Sequence, residues 1–346
     1  MKCKIENVKL RIGSLRNFHV WQFLIPLSSF LILCGCIHRE FEYAQEDMET
    51  AYVDVVFDWA NEPTANPETM SLYLFPTDGG TPLRHEFVGS DGGTIRVNTG
   101  SYHAICINSD RRDVLYRNQD AHHTFEITTS ELASLSLSPA MKVTPLDVPR
   151  APGSEDQPMM NQPPLLWASS EKDFVFESFA AVRGRGRGGN PELRMYPVRI
   201  VDTYVIKVKK ITNVESLQSL SATISGMSDG YLPSTQSSND NSAILSVEMT
   251  HDADEATARG TFLTFGHCPS GQKTHRLMLY AILNDGSKYY FEFDVSEQAH
   301  KDASDDNIHY IEVECIDIPE PAGDDAGSGL SPSVNVWNTI DITIEM

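Results

Sequence analysis

The chain has 346 residues, 40% of them hydrophobic and 22% charged, with a formal net charge of −21. That length suits two domains of ordinary size, and the composition is that of a globular protein rather than a disordered one. So acidic a chain repels phosphate backbones and anionic headgroups, which argues against a nucleic-acid partner.

Residues 1–35 read as a lipoprotein signal peptide. Lys2, Lys4, Lys9, Arg11 and Arg16 precede an apolar run at 20–33. That run is shorter than the about 20 apolar residues a comfortable span requires. It ends in Leu33-Cys34-Gly35-Cys36, which looks like a bacterial lipobox. The expected outcome is cleavage before Cys36 and acylation of its thiol. A single acyl chain binds only marginally, at about 0.8 kcal/mol per buried methylene, so durable anchoring requires more than one. The alternative is an uncleaved anchor helix in which Cys36 has no role. Residues 36–50 are polar and read as a tether.

Strand signals begin at 51–59 (AYVDVVFDW) and continue at 71–75 (SLYLF). Residues 84–88 and 94–97 flank Asp91-Gly92-Gly93 and read as a hairpin. Residues 102–107 and 124–128 give further short strands, and 130–137 a short helix or loop. Short strands at this spacing predict an all-β sandwich or barrel. Residues 145–164 are rich in Pro and polar breakers. Residues 167–176 recover strand character, and RGRGRGG at 183–189 marks the expected boundary between an N-terminal domain, 51–190, and a C-terminal one, 191–346.

In the second half, 196–211 alternates, 214–225 begins helical and ends extended, and 232–241 is a loop. Residues 243–249, 260–265, 276–283, 289–295 and 309–318 read as strands, with Asn284-Asp285-Gly286 as a hairpin turn. After a Pro/Gly/Asp linker at 319–332, residues 334–346 place Val334, Val336, Ile340, Ile342 and Ile344 on alternate positions. That is an amphipathic strand. It serves either as the last core strand or as a donor strand offered to a neighbouring subunit by strand addition.

Of the six cysteines, Cys106 sits in an apolar run and reads as a buried thiol, while a Cys268–Cys315 disulfide is open to an exported protein. His122-His123 is a weak metal signal, and 251–255 (HDADE) reads as a solvated loop. No metal site, cofactor or catalytic motif is predicted. Trp59, Tyr73, Trp167, Tyr231 and Trp337 are candidates for a sugar-stacking platform.

The segments VVFDWA (55–60), NPETMSLYLFPTDGG (66–80), EFVGSDGGTIRV (86–97), GSYHAICIN (100–108) and FEFDVS (291–296), with Trp337 in a late strand, carry a resemblance. The chain resembles the fimbrillin-related surface lipoproteins of Bacteroides-type bacteria, DUF5119-like and close to the anchor-subunit branch of the fimbrial superfamily. The resemblance implies two tandem transthyretin-like β-sandwich domains and outer-membrane, cell-surface display through N-terminal acyl chains. It also implies fimbrial shaft or accessory subunits as partners. Shaft subunits of that group are trimmed after an Arg. Here Arg39 lies too near Cys36 to free a strand and Arg84 falls inside a predicted element, which favours an anchor or accessory subunit. The rival readings are a surface glycan-binding lipoprotein and, more weakly, an exported enzyme.

Overall fold

The computed structural model describes residues 50–109, 111, 113–139, 141–177, 189–269, 274–303, 307–320 and 337–339. Among them the chain is almost entirely strand, as the turn spacing predicts, and no helix is long and apolar enough to cross a membrane.

Thr50–Phe57 (β1) buries Ala51, Val53, Val55 and Phe57 on one face, the period of two that a half-covered strand requires. It pairs antiparallel with Gly92–Asn98 (β4) and parallel with Glu192–Met195 (β12). This small sheet packs on a second one, ordered Val198–Arg199 (β13), Trp167–Phe176 (β11), Gly100–Asn108 (β5), Thr69–Pro76 (β2) and Leu83–Val88 (β3). Met70, Leu72, Leu74, Ala104 and Cys106 meet the β1 side chains in one core.

The reverse face of β2 and β5 is buried too. Tyr73, Phe75, Ile105 and Ile107 pack against Glu126–Thr129 (β7), Val114–Arg117 (β6) and Phe125. Gly230–Leu232 (β16) and Ser237–Ser238 (β17) extend that third sheet from the second half of the sequence. Cover on both faces explains why 72–75 (LYLF) reads as a continuous apolar run rather than an alternating one.

The hairpin expected around Asp91-Gly92-Gly93 does not form. β3 pairs with β2 and β4 pairs with β1, so this turn carries the chain from one sheet to the other. Gly92 is required there: its φ is +101°, and a Cβ would lie 2.1 Å from the Val55 carbonyl oxygen.

Most of the remaining strands form one long curved sheet. Its order is Ile308–Asp317 (β22), Asp202–Thr212 (β14), Thr257–Thr264 (β19), Ser242–Asp252 (β18), Leu217–Ser228 (β15), Arg276–Leu283 (β20), Lys288–Asp294 (β21) and Asn338–Thr339 (β23). β18 makes the corner. Its first part, Ser242 to Glu248, pairs with β15, and its last part, Met249 to Asp252, with β19. Both wings turn their apolar sides inward, so that Tyr204, Ile206, Leu245, Leu279, Phe291 and Ile311 share one core. The helical start expected at 214 is a single 3₁₀ turn, Val214–Ser216, leading into β15.

Residues 130–137 contain a strand rather than a helix. Leu135–Ser138 (β8) pairs with Met141–Val143 (β9), and Met159–Met160 (β10) pairs parallel with β18. The Pro-rich middle is therefore a cover. Leu135, Leu137, Val148, Ala151 and Met159 lie on the outer face of β18 and β20, against Ile244, Met278, Tyr280 and Ile282.

Cys106 is buried, as its apolar setting predicts. Cys268 and Cys315 are both unpaired, the first buried and the second exposed, so the disulfide left open by the sequence does not form.

Candidate functional site

The late strand is the sequence-predicted site on which the structure bears. β20 and β21 are joined by Asn284-Asp285-Gly286, as the turn chemistry requires. Gly286 takes a φ of +82°, and the Asp285 carboxylate accepts the Ser287 N–H at 2.9 Å. β20 covers one edge of β21. The other edge receives β23 in parallel register, Tyr289 opposite Asn338 and Tyr290 opposite Thr339. The Asn338 side-chain amide also donates to the Lys288 carbonyl at 3.3 Å.

Trp337 anchors this short strand. Its ring centroid lies 5.4 Å from that of Tyr280 at an interplanar angle of 65°, a tilted edge-on contact. The Lys288 ammonium sits 5.7 Å from the indole centroid. The indole N–H donates to the Asp147 carbonyl at 3.2 Å. Tyr280 is itself fully buried, and its hydroxyl donates to the Pro149 carbonyl at 2.7 Å. Burial pushes its phenol up to about 12, so it stays a neutral donor. Trp337 thus closes one end of the apolar row formed by the β8–β10 cover and the outer face of β20.

Chemically this arrangement is an edge that accepts a strand. Main-chain groups of β21 supply the hydrogen bonds and the indole supplies the register. Of the residues singled out from sequence, Cys36 and Val334, Val336, Ile340, Ile342 and Ile344 lie outside the described residues. Tyr280, Lys288 and Asp147 were not anticipated. A signal was available for Tyr280 alone: 276–283 is apolar at nearly every position, which means that both faces of that strand are covered.

The other candidates resolve separately. The aromatic residues do not assemble into a platform. Trp59 and Trp167 meet at 86° across 6.2 Å, and Tyr73 is buried against Phe125. His122 is buried with its Nε2 2.8 Å from the Ser170 hydroxyl, whereas His123 is exposed. Burial, then the nearby His103, hold the His122 imidazole down to about 4. Residues 251–255 span the β18–β19 turn, where one Asp252 oxygen accepts the N–H groups of Asp254 and Glu255. Among the described residues no group of three or more His, Cys, Asp or Glu side chains could hold a metal ion.

Comparison with solved structures agrees with the sandwich architecture. A candidate adhesin from Bacteroides ovatus ATCC 8483 superposes with a TM-score of 0.61 at 18% identity, over 84% of this chain and 98% of that one. A candidate polysaccharide-binding protein (DUF1812) from Bacteroides thetaiotaomicron VPI-5482 gives 0.46 at 14% identity, over 77% and 91%. The fimbrial anchor protein Mfa2 from Porphyromonas gingivalis gives 0.44 at 11% identity, over 77% and 90%. No curated protein matches the chain. The model of the domain of unknown function DUF5119 matches residues 35–248, more than half of the sequence, and the chain belongs to that family.

Proposed function

We propose that this protein is a lipid-anchored structural subunit of a surface fimbria, in an anchor or accessory position. Acyl chains on Cys36 hold it at the outer membrane, and its C-terminal strand or the edge beneath that strand engages a shaft or accessory subunit. The observation that carries this reading is the placement of Asn338 and Thr339 as an added parallel strand on β21. Among the described residues the strand is held by the pairing at Asn338 and Thr339 and by the Trp337 indole, and an edge that accepts one strand can accept a partner's in its place. The fold shared with a candidate adhesin of Bacteroides ovatus is in keeping with a cell-surface role.

The reading assigns the protein no catalytic step, and its chemistry is that of strand pairing. The glycan-binding alternative draws no support from Trp59 and Trp167, whose rings meet at 86°, or from Tyr73, which is buried against Phe125.

The test is capture of partners from the native cell surface, with the intact acylated protein and with a form lacking residues 334–346. A fimbrial subunit captured by the intact chain and lost from the shortened one supports the proposal. Equal capture by both counts against the strand. Affinity for a surface polysaccharide that disappears in Trp337→Ala would favour the glycan reading instead.

A further inference from the structure

A cavity of about 220 Å³ is built from segments far apart in the sequence and shares no residue with the β21–β23 edge. Asn61 comes from the turn after β1, Glu171 from β11, and Tyr196 from the link between β12 and β13. Tyr231 in β16 and Gln236 in the turn that follows it close the other side. The volume is below the about 300–1,000 Å³ of pockets for drug-sized ligands and suits a single sugar ring.

The walls are held from behind. The Glu62 carboxylate accepts the Arg199 main-chain N–H at 3.1 Å, which ties the turn bearing Asn61 to β13. β13 in turn pairs with β11, Val198 opposite Ala168. Tyr231 is paired on both sides, with Ile127 of β7 and Ser238 of β17. Ser170 also lines the cavity, and its hydroxyl is fixed 2.8 Å from His122 Nε2. The Gln236 N–H donates to the Pro233 carbonyl at 3.3 Å, and the Gln236 φ is +53°. A non-glycine residue held in that left-handed region is uncommon, and such residues cluster at ligand sites.

The side chains of Asn61, Glu171, Tyr196, Tyr231 and Gln236 make no hydrogen bond to any described residue. Two amides, two phenols and one carboxylate therefore line one cavity with their donors and acceptors uncommitted. Burial pushes the Tyr231 phenol up to about 12, which keeps it a neutral donor. Tyr196 is 43% exposed, so its ring is open to stack on the C–H face of a sugar. Among the described residues that line the cavity there is no Lys, Arg or His, and Glu171 is the one formal charge. That charge disfavours a phosphate or carboxylate ligand. The apolar lining beyond the tyrosines is one alanine, one valine and one proline, too little to anchor an apolar peptide. We propose that this cavity binds a neutral saccharide, with one ring on Tyr196 and its hydroxyls bonded by Asn61, Glu171 and Gln236. The site is independent of the late strand and would add a ligand to whatever subunit that strand engages.

The test is a glycan array followed by saturation-transfer NMR on the full-length chain. The probes are neutral and acidic mono- to trisaccharides, with short apolar peptides as control. The expected result is binding of one or more neutral saccharides and none of the acidic ones or the peptides. Tyr196→Ala and Gln236→Ala, both at exposed positions, each weaken that binding by at least about tenfold while the melting temperature is unchanged. Trp337→Ala leaves it unaltered, which separates this site from the late strand. No neutral saccharide bound at about 10 mM, or binding unaltered in the Tyr196→Ala/Gln236→Ala double variant, overturns the proposal. A preference for acidic saccharides or peptides, or saccharide binding lost in Trp337→Ala, does the same.

Discussion

Trp337 stands edge-on to Tyr280, ring centroids 5.4 Å apart, although 57 residues of sequence (337 minus 280) separate them. The contact fixes where the late strand meets the curved sheet. Tyr280 is in turn held by Pro149 and Thr223, so the receiving surface is built from the Pro-rich cover as well as from β20.

Trp337→Ala removes this anchor. A fully buried Trp costs about 3–5 kcal/mol when truncated to Ala. Trp337 is half-buried, and we expect about 1–2 kcal/mol. Urea unfolding measures the loss, and hydrogen exchange locates it, with faster exchange at residues 288–290 and unchanged protection in β20.

Arg117 bridges Glu126 and Asp229, at 3.2 and 3.0 Å, and both carboxylates are buried. The Asn239 side chain donates to both as well. This network ties β7 to β16, and so joins segments about a hundred residues apart. Arg117→Ala leaves two buried carboxylates with one fewer donor. Breaking a fully buried pair costs about 3–5 kcal/mol. Arg117 is 39% exposed, which reduces the expected loss to about 2 kcal/mol. A shift of the urea midpoint without change in slope confirms it.

Gly92 and Gly79 both have positive φ, at +101° and +84°, but differ in surroundings. A Cβ on Gly92 strikes the β1 backbone, while one on Gly79 has nothing within 4 Å. Gly92→Ala is expected to cost about 3 kcal/mol or more, and Gly79→Ala only the left-handed penalty of about 1 kcal/mol. Thermal melting of the two variants separates steric clash from conformational preference.

Acid sensitivity follows from His122 and His275, both buried and both held down to about 4 against an ordinary 6.5. Below pH 6.5 the unfolded chain binds protons that the folded chain does not, so stability is fully present above 6.5 and falls as the pH drops towards 4. Each group contributes a slope of at most about 1.4 kcal/mol per pH unit in that window. His122→Gln should flatten the profile between pH 6.5 and 4. An unchanged profile would assign the acid loss to other groups.

Much of the fold was legible because burial leaves a period. The alternation in 51–57, the continuous apolar run at 72–75 and the Asn-Asp-Gly turn at 284–286 each match one strand environment. What stayed hidden depends on tertiary pairing. A Gly-rich turn such as 91–93 suits a hairpin and a sheet-to-sheet crossing equally, and only the partners of β3 and β4 distinguish them. Leu135–Ser138 alternates Leu with Ser, a weak strand former, and is a strand because it lies on another sheet. At the candidate site the presence of a late strand was legible, with Asn338–Thr339 in place and the alternating residues around it outside the described ones, but its receiver was not, since Tyr280, Lys288 and Asp147 converge only through folding.

The central claim is that the late strand must be free to leave β21 for a partner to be engaged. Tyr290 and Thr339 face each other in the parallel pairing, so Tyr290→Cys with Thr339→Cys, in a Cys315→Ser background, allows a disulfide that locks the strand in place. The measurement is capture of fimbrial subunits from the native surface by this variant, oxidised and then reduced. The account predicts capture lost in the oxidised form and restored by reduction. Equal capture in both states would contradict it.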